Sequence, residues 1–301
     1  MKFENLRTER EDMLERLHLL TGIIPTEQQY TAPEVFSLLT GTEALGIAPQ
    51  QVDGYQIGTL GLPFFNSPYE IKTLLRLKPK DFGSLLKASE LIDCRRFGSF
   101  DMDLWKQHIR EEDLLTSTAG VYQTLRRYGV SERTAFTISQ KRGMLALGNM
   151  YGDKSFIREL EKCNVPDEYI YFLKDIATLP TQEYNIEEIH AALQLLWFKL
   201  YYPVEFYSAF FSVAKRHDDH FRIPRNALEM SQMLKYAGYA DPDDPHAHTP
   251  FRCILLTFKE CKARGVQLIP PVCGDSHGSE FLPEGDKIRM PLDTMHYCTE
   301  V

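Results

Sequence analysis

The chain has 301 residues, 43% of them hydrophobic and 25% charged, an ordinary globular balance that can bury a sizeable core in one large or two small domains. Its formal net charge of −8 argues against a high-affinity, sequence-independent nucleic-acid binder, which needs a strong cationic footprint, but leaves room for local basic faces. The six cysteines form no CxxC pair, Cys253 and Cys261 being the closest, so finger-type metal spacing is absent and free thiols in a reducing cytosol are expected.

Met1–Arg7 holds no apolar core of a secretion signal. Residues 9–21 place Met13, Leu14, Leu17 and Leu20 at helical spacing. Thr26-Glu27 and Thr31-Ala32-Pro33-Glu34 are helix-start signals, and a short helix over Val35–Leu39 is expected to stop near Gly41. Thr59–Phe65 reads as a loop punctuated by glycine and proline, and 68–78 as a helix with Ile71, Leu74 and Leu75 on one face. Helices are expected over Phe82–Ile92, Leu104–Ile109, Val121–Tyr128 and Glu132–Arg142, the last capped by Ser131, with a loop at Arg95–Asp103. Three glycines break the pattern over Gly143–Gly152. Helices resume at 153–162, 166–176, 187–202 and 204–215, and the third carries Ile189, Ala192, Leu193, Leu196, Trp197 and Leu200 as one apolar stripe. Ile189–Val213 is the greasiest stretch, but Lys199, Pro203 and Glu205 within it argue for buried helix over membrane span. Asp241–Pro250 is a linker and Phe251–Arg264 a helix. Short strands follow at 266–270 and within 279–290, where a Glu-Gly-Asp turn joins the second pair. The fold class expected is mostly α with a small C-terminal β element, divided into a helical domain at 1–265 and a β-rich segment at 266–301.

Two segments are locally basic. Lys72, Arg76, Lys78, Lys80, Lys87, Arg95 and Arg96 face Asp81, Glu90 and Asp93, and Arg126, Arg127, Arg133, Lys141 and Arg142 face Glu132 alone. They read either as a phosphate-backbone track or as solvated helix faces, and the negative total charge favours the second. His217-Asp218-Asp219-His220 with His246 and His248 has metal-ligand residue types, but a polar helix end followed by a loop accounts for it, and no metal or cofactor is expected. His190, beside the apolar stripe, reads as a satisfied buried or rim histidine. Tyr201, Tyr202, Phe206, Tyr207, Phe210 and Phe211 could stack bases but fit a core better at helical spacing. No glycine spacing fits a phosphate loop, and no nucleophile signature is present.

Several phrases, collinear from Thr31 to Ile269, resemble the fingers region of the bacterial C-family replicative polymerases of the PolC type. Gly41-Thr42-Glu43-Ala44-Leu45-Gly46-Ile47 and Thr59-Leu60-Gly61-Leu62-Pro63-Phe64-Phe65 are similar to that family's "TPESLG" and "TGTLGIPEF" phrases. Leu74–Leu91, with Lys78-Pro79, Phe82, Leu85 and Ser89, resembles its "KPxxFxxLVxxSGL" phrase. Tyr122–Arg142, with Gly129 and Ala135-Phe136, resembles a helix pair ending in a basic run. Asn164-Val165-Pro166, Phe198–Pro203 and Arg264-Gly265 extend the match.

The resemblance implies DNA or a replisome protein as partner, with Lys72, Arg76, Lys78, Lys80, Arg126, Arg127, Lys141 and Arg142 as phosphate contacts. It also implies that the family's metal-holding carboxylates, which sit upstream in the palm, have no counterpart here. In the family a Lys-x-His-x-x-x-Tyr phrase lies against the incoming nucleotide; here Gln182, Tyr184 and Glu188 take its places. Residues 153–188 count nine acidic against four basic side chains, and polyphosphate binding needs cations or N–H donors. The expectation is a stand-alone, catalytically incompetent polymerase-like protein of the cytoplasm that binds no membrane. The alternatives are fingers working with a separately encoded palm, and a pure protein-interaction scaffold.

Overall fold

The computed structural model describes residues 2–97, 118–140, 154–175, 182–218, 221–238 and 250–297. In chain order the helices are α1 (Lys2–Thr21), α2 (Glu27–Tyr30), α3 (Pro33–Ser37), α4 (Pro68–Leu77), α5 (Phe82–Phe97), α6 (Thr118–Arg127), α7 (Glu132–Gln140), α8 (Lys154–Lys162), α9 (Asp167–Asp175), α10 (Gln182–Tyr201), α11 (Pro203–His217), α12 (Ala227–Ala237) and α13 (Pro250–Ala263). Three short strands follow: β1 (Gln267–Ile269), β2 (Leu282–Glu284) and β3 (Lys287–Arg289). The fold is thus mostly α with a small β element near its C-terminus. Among the described residues no helix is long and apolar enough to cross a membrane.

The chain divides into two compact units, one of residues 1–82 and 190–301 and one of 83–189. In the first, α1 packs along α11 and buries Met13 and Leu17. From His190 onward α10 is buried on more than the one stripe its periodicity suggests. Ala191 to Leu193 and Leu195 to Lys199 are all within the core, the mark of a helix surrounded by its own unit. Trp197, Phe198, Phe206, Tyr207 and Phe211 are core side chains. Phe211 stacks on Phe258 at 4.1 Å between ring centres and lies 5.6 Å from Phe281, which ties α11, α13 and the approach to β2 together.

An irregular segment fills the middle of this unit. Every residue from Ile57 to Ser67 is buried, although the segment belongs to no helix or strand. Buried backbone must find partners, and these do. Gly58 N–H donates to the Leu38 carbonyl at 2.7 Å, and Leu62 N–H to Thr59 at 3.1 Å. Thr59 Oγ1 donates to the Phe65 carbonyl, and the Asn66 amide to that of Leu62. The Lys199 ammonium donates to the carbonyls of Gly58 at 2.7 Å and Leu60 at 2.6 Å, and its third bond goes to Glu260 Oε1 at 2.7 Å. Tyr207 OH donates to the same Glu260 oxygen at 2.7 Å. Burial lowers the Lys199 pKa to about 8 against the opposing pull of Glu260, so the side chain is still an ammonium at neutral pH with three protons for three acceptors. The segment ends in a capping box: Asn66 and Ser67 N–H both donate to Glu70 Oε2 at 2.9 Å, and Ser67 caps α4.

The strand order is β1-β3-β2, β1 parallel and β2 antiparallel to β3. Glu284 pairs with Lys287 across a two-residue turn of Gly285 and Asp286, where Gly285 takes φ +63°. Pro283 is tolerated because β2 is an edge strand. Phe281 N–H donates to Ser212 Oγ of α11 at 3.0 Å, and the Phe281 carbonyl accepts from Arg16 Nη2 of α1 at 3.0 Å.

Two elements differ from those expected. Phe82–Ile92 runs on to Phe97, taking in residues read as loop. Ala227–Ala237 forms a helix capped by Asn226, whose Oδ1 accepts from Glu229 N–H at 2.9 Å; no helix was expected there. Leu104–Ile109, Gly143–Gly152 and most of the Asp241–Pro250 linker lie outside the described residues.

Candidate nucleic-acid interface

In the second unit, α6 and α7 pack against each other as a helical hairpin. The turn follows from one glycine. Gly129, at φ +84°, lets its N–H reach Arg126 O at 3.0 Å while Val130 N–H reaches Leu125 O at 3.1 Å, the two bonds of a Schellman stop. Val121, Leu125 and Val130 fill the space beneath it. Ser131 then caps α7, accepting from Thr134 N–H at 3.4 Å. Glu159 of α8 completes that cap: Oε1 accepts from Ser131 N–H at 2.8 Å and Oε2 from Thr134 Oγ1 at 2.6 Å. These hydrogen bonds to its ionised form hold the Glu159 carboxyl below the ordinary range.

Arg126 and Arg127 are exposed at the end of α6. Arg126 Nη1 donates to the Val130 carbonyl at 2.5 Å, and Arg127 Nη2 to Thr124 Oγ1 at 3.3 Å. Both guanidiniums are thus steadied by their own hairpin. Arg133 and Phe136 are exposed on α7, Phe136 with 57% of its surface in water. The expected contacts Lys141 and Arg142 lie outside the described residues.

In the first unit, Lys72 is exposed on α4 and Arg76 half-buried in its last turn. Lys78 ends the helix at φ +46°, its N–H on Leu74 O at 2.8 Å, and Lys80 is exposed beyond it. Cations at a helix C-terminus complement its dipole, so Arg76 in the last turn and Lys78 at the cap have a structural role whatever else they meet. Of the expected basic residues that are described, Lys72, Arg76, Lys78 and Lys80 belong to the first unit and Arg126 and Arg127 to the second.

Of the three residues aligned with the nucleotide-facing phrase, Glu188 is buried, 4% exposed. Gln182 and Tyr184 stand at the start of α10, and their side chains lie outside the described residues. His190 is a satisfied rim histidine: Tyr30 OH lies 3.1 Å from Nδ1, and the Phe82 ring is 4.7 Å away, centre to centre. His217 Nε2 lies 3.0 Å from Asp12 Oδ2, and Arg216 Nη1 donates to the same oxygen at 3.0 Å, so the end of α11 is tied to α1. Asp219, His220, His246 and His248 lie outside the described residues. Among the described residues no group of three His, Cys, Asp or Glu is placed to hold a metal ion.

Sequence reasoning missed the exposure of Phe136 and the Glu159 cap. The first had a signal, since Phe136 falls off the buried face of α7 marked by Ala135 and Ile138. The second had none, because Glu159 is distant in sequence from Ser131.

No protein-family model matches the chain. It is 23% identical over 308 residues to "DNA polymerase III PolC-type" of Thermotoga petrophila, covering 98% of this chain and 21% of that protein. The protein of the same description from Lactococcus lactis is 26% identical, covering 98% of this chain and 18% of its own length. That from Clostridium perfringens is 26% identical, over 98% and 20%. The chain spans about a fifth of the length of these curated relatives. Nearly all of it is thus similar to one stretch of PolC-type DNA polymerase III.

Proposed function

We propose that this chain is a non-catalytic, PolC-like protein of DNA replication or repair that binds DNA weakly on a scaffold equivalent to polymerase fingers. The observation that carries the reading is the similarity to PolC-type DNA polymerase III along 98% of the chain. The exposed arginines of the α6–α7 hairpin supply a sequence-independent phosphate contact. The net charge of −8 keeps the affinity low and the binding salt-sensitive. Loss of nucleotide incorporation rests on Gln182, Tyr184 and Glu188. They offer a triphosphate no cation, and Glu188 is withdrawn from solvent.

The test is fluorescence anisotropy of a labelled primer–template with the purified chain across a salt series, beside a primer-extension assay with magnesium and deoxynucleotides. Micromolar binding that weakens steeply with salt and is lost in Arg126→Glu/Arg127→Glu, with no extension, is the expected result. Absence of binding at low salt overturns DNA as the ligand and leaves a replisome protein as the partner. Extension overturns the non-catalytic reading.

A further inference from the structure

Phe136 is the one large hydrophobic side chain left exposed among the described residues of the second unit. The hairpin that carries it is net cationic. Between Thr118 and Gln140 the charged side chains are Arg126, Arg127, Arg133 and Glu132, all four exposed. Arg133 and Glu132 precede Phe136 by three and four residues on α7 and share its helix face, one cation and one carboxylate. Arg126 is fixed at the turn by its bond to the Val130 carbonyl. An exposed flat apolar ring on a hairpin that carries three exposed arginines against one glutamate suits a ligand that is itself both flat and anionic.

A duplex presents phosphates, but its base faces are already stacked on one another. An unpaired strand presents both, and aromatic side chains take its bases without regard to sequence. We propose that the α6–α7 hairpin binds single-stranded DNA, one unpaired base stacking on Phe136 while Arg126, Arg127 and Arg133 take the adjoining phosphates. This rests on the DNA-binding reading and narrows it from DNA in general to an unpaired strand.

The experiment compares a fluorescein-labelled oligo-dT with a blunt duplex of equal length, by anisotropy, using the parent chain, Phe136→Ala, Phe136→Trp and Arg133→Ala. Phe136→Ala is expected to weaken the single strand roughly five- to hundredfold and to leave duplex binding within about twofold. Phe136→Trp restores single-strand affinity, and its added emission is quenched by the oligonucleotide; this separates lost stacking from lost folding. Arg133→Ala weakens both ligands and flattens the salt dependence. Single-strand affinity unchanged in Phe136→Ala, or lost equally for duplex and single strand with no rescue by tryptophan, overturns the proposal. In those cases duplex binding that still needs Arg126 and Arg127 leaves the broader DNA reading standing. Failure of the parent chain to bind either ligand overturns both.

Discussion

Arg264 Nη1 lies 2.7 Å from the carbonyl oxygen of Lys199, where α10 has lost its own donor. In an unbroken helix that carbonyl would accept the N–H of residue 203. Residue 203 is proline, which has no N–H, and the chain turns there into α11. The guanidinium also reaches Leu200 O at 3.4 Å and lies 5.7 Å from the centre of the Tyr207 ring. A single side chain from beyond α13 therefore closes the elbow between α10 and α11.

Arg264→Met is expected to destabilise the chain by about 1–3 kcal/mol, the range for losing a charged hydrogen bond and leaving its acceptor unmet. Arg264→Lys should recover only part of that, since an ammonium cannot reproduce the planar fork. Urea unfolding midpoints measure both; a methionine variant as stable as the parent would sink the account.

The side chain of Lys199 faces a harder test. Lys199→Met leaves the Gly58 and Leu60 carbonyls and the Glu260 carboxylate buried without their cation, so a loss of about 3–5 kcal/mol is expected. Replacing a whole buried ion pair by apolar groups is often harmless, but here the Lys199→Met/Glu260→Leu double variant should stay destabilised. The Gly58 and Leu60 carbonyls remain unmet whether or not the carboxylate is present, and removing Glu260 takes away the acceptor of the Tyr207 hydroxyl as well. Full recovery of the urea midpoint in the double variant would show that the pair, not the loop, is what Lys199 serves.

How much of this was legible in sequence depends on range. The helix frame was, because its signals are local: Met13 and Leu17, the Ser131 cap and the Glu-Gly-Asp turn all lie within a few residues of what they control. The apolar stripe on α10 was read as one face, since periodicity reports the most apolar side and cannot show that Lys199 on another side is also buried. Thr59–Phe65 is a loop as its glycines and proline imply, but those residues carry no sign that the loop is buried. Its burial depends on the Leu38 carbonyl that accepts from Gly58 N–H and on the Lys199 ammonium that donates to the Gly58 and Leu60 carbonyls, and no local window contains these pairs. For the candidate site, the arginines were visible as a charge run, whereas their anchoring on Val130 and Thr124 needed the folded turn.

Gly58 tests the close approach of that loop. A Cβ there would fall 2.9 Å from Leu38 Cβ and 3.2 Å from the Leu38 carbonyl that Gly58 N–H uses. Neither is the far end of a flexible side chain, so backbone must move. Gly58→Ala is expected to cost about 1–3 kcal/mol. Ala at Gly54, where a Cβ meets nothing within 4 Å, isolates the penalty of its φ of +82° without a clash. A Gly58→Ala variant as stable as the parent in thermal melts would mean that the Leu38 contact is loose.

Two carboxylates should respond oppositely to pH. Burial raises the Glu9 pKa, with Asp218 and Asp12 adding to it and His217 opposing. At a pH between the ordinary carboxylate value and the raised one, the folded form holds a proton that the unfolded chain has released. Stability from this group is fully present in acid and is lost as pH rises from the ordinary carboxylate value through the raised one. Glu9→Gln, which cannot ionise, should raise the melting temperature at neutral pH and leave it unchanged in acid. Glu159 is the reverse case, its pKa lowered by bonds from Thr134 and Ser131. Its contribution is present above the ordinary carboxylate value and is lost as pH falls through the lowered one. Glu159→Gln keeps an acceptor for Ser131 N–H but loses the charge at the α7 N-terminus. It should lower stability at neutral pH, by less than about 1 kcal/mol for a group so open to solvent, and match the parent in acid. Melting curves of both variants against pH decide the matter: the differences from the parent should have opposite signs at neutral pH and both vanish below the carboxylate range.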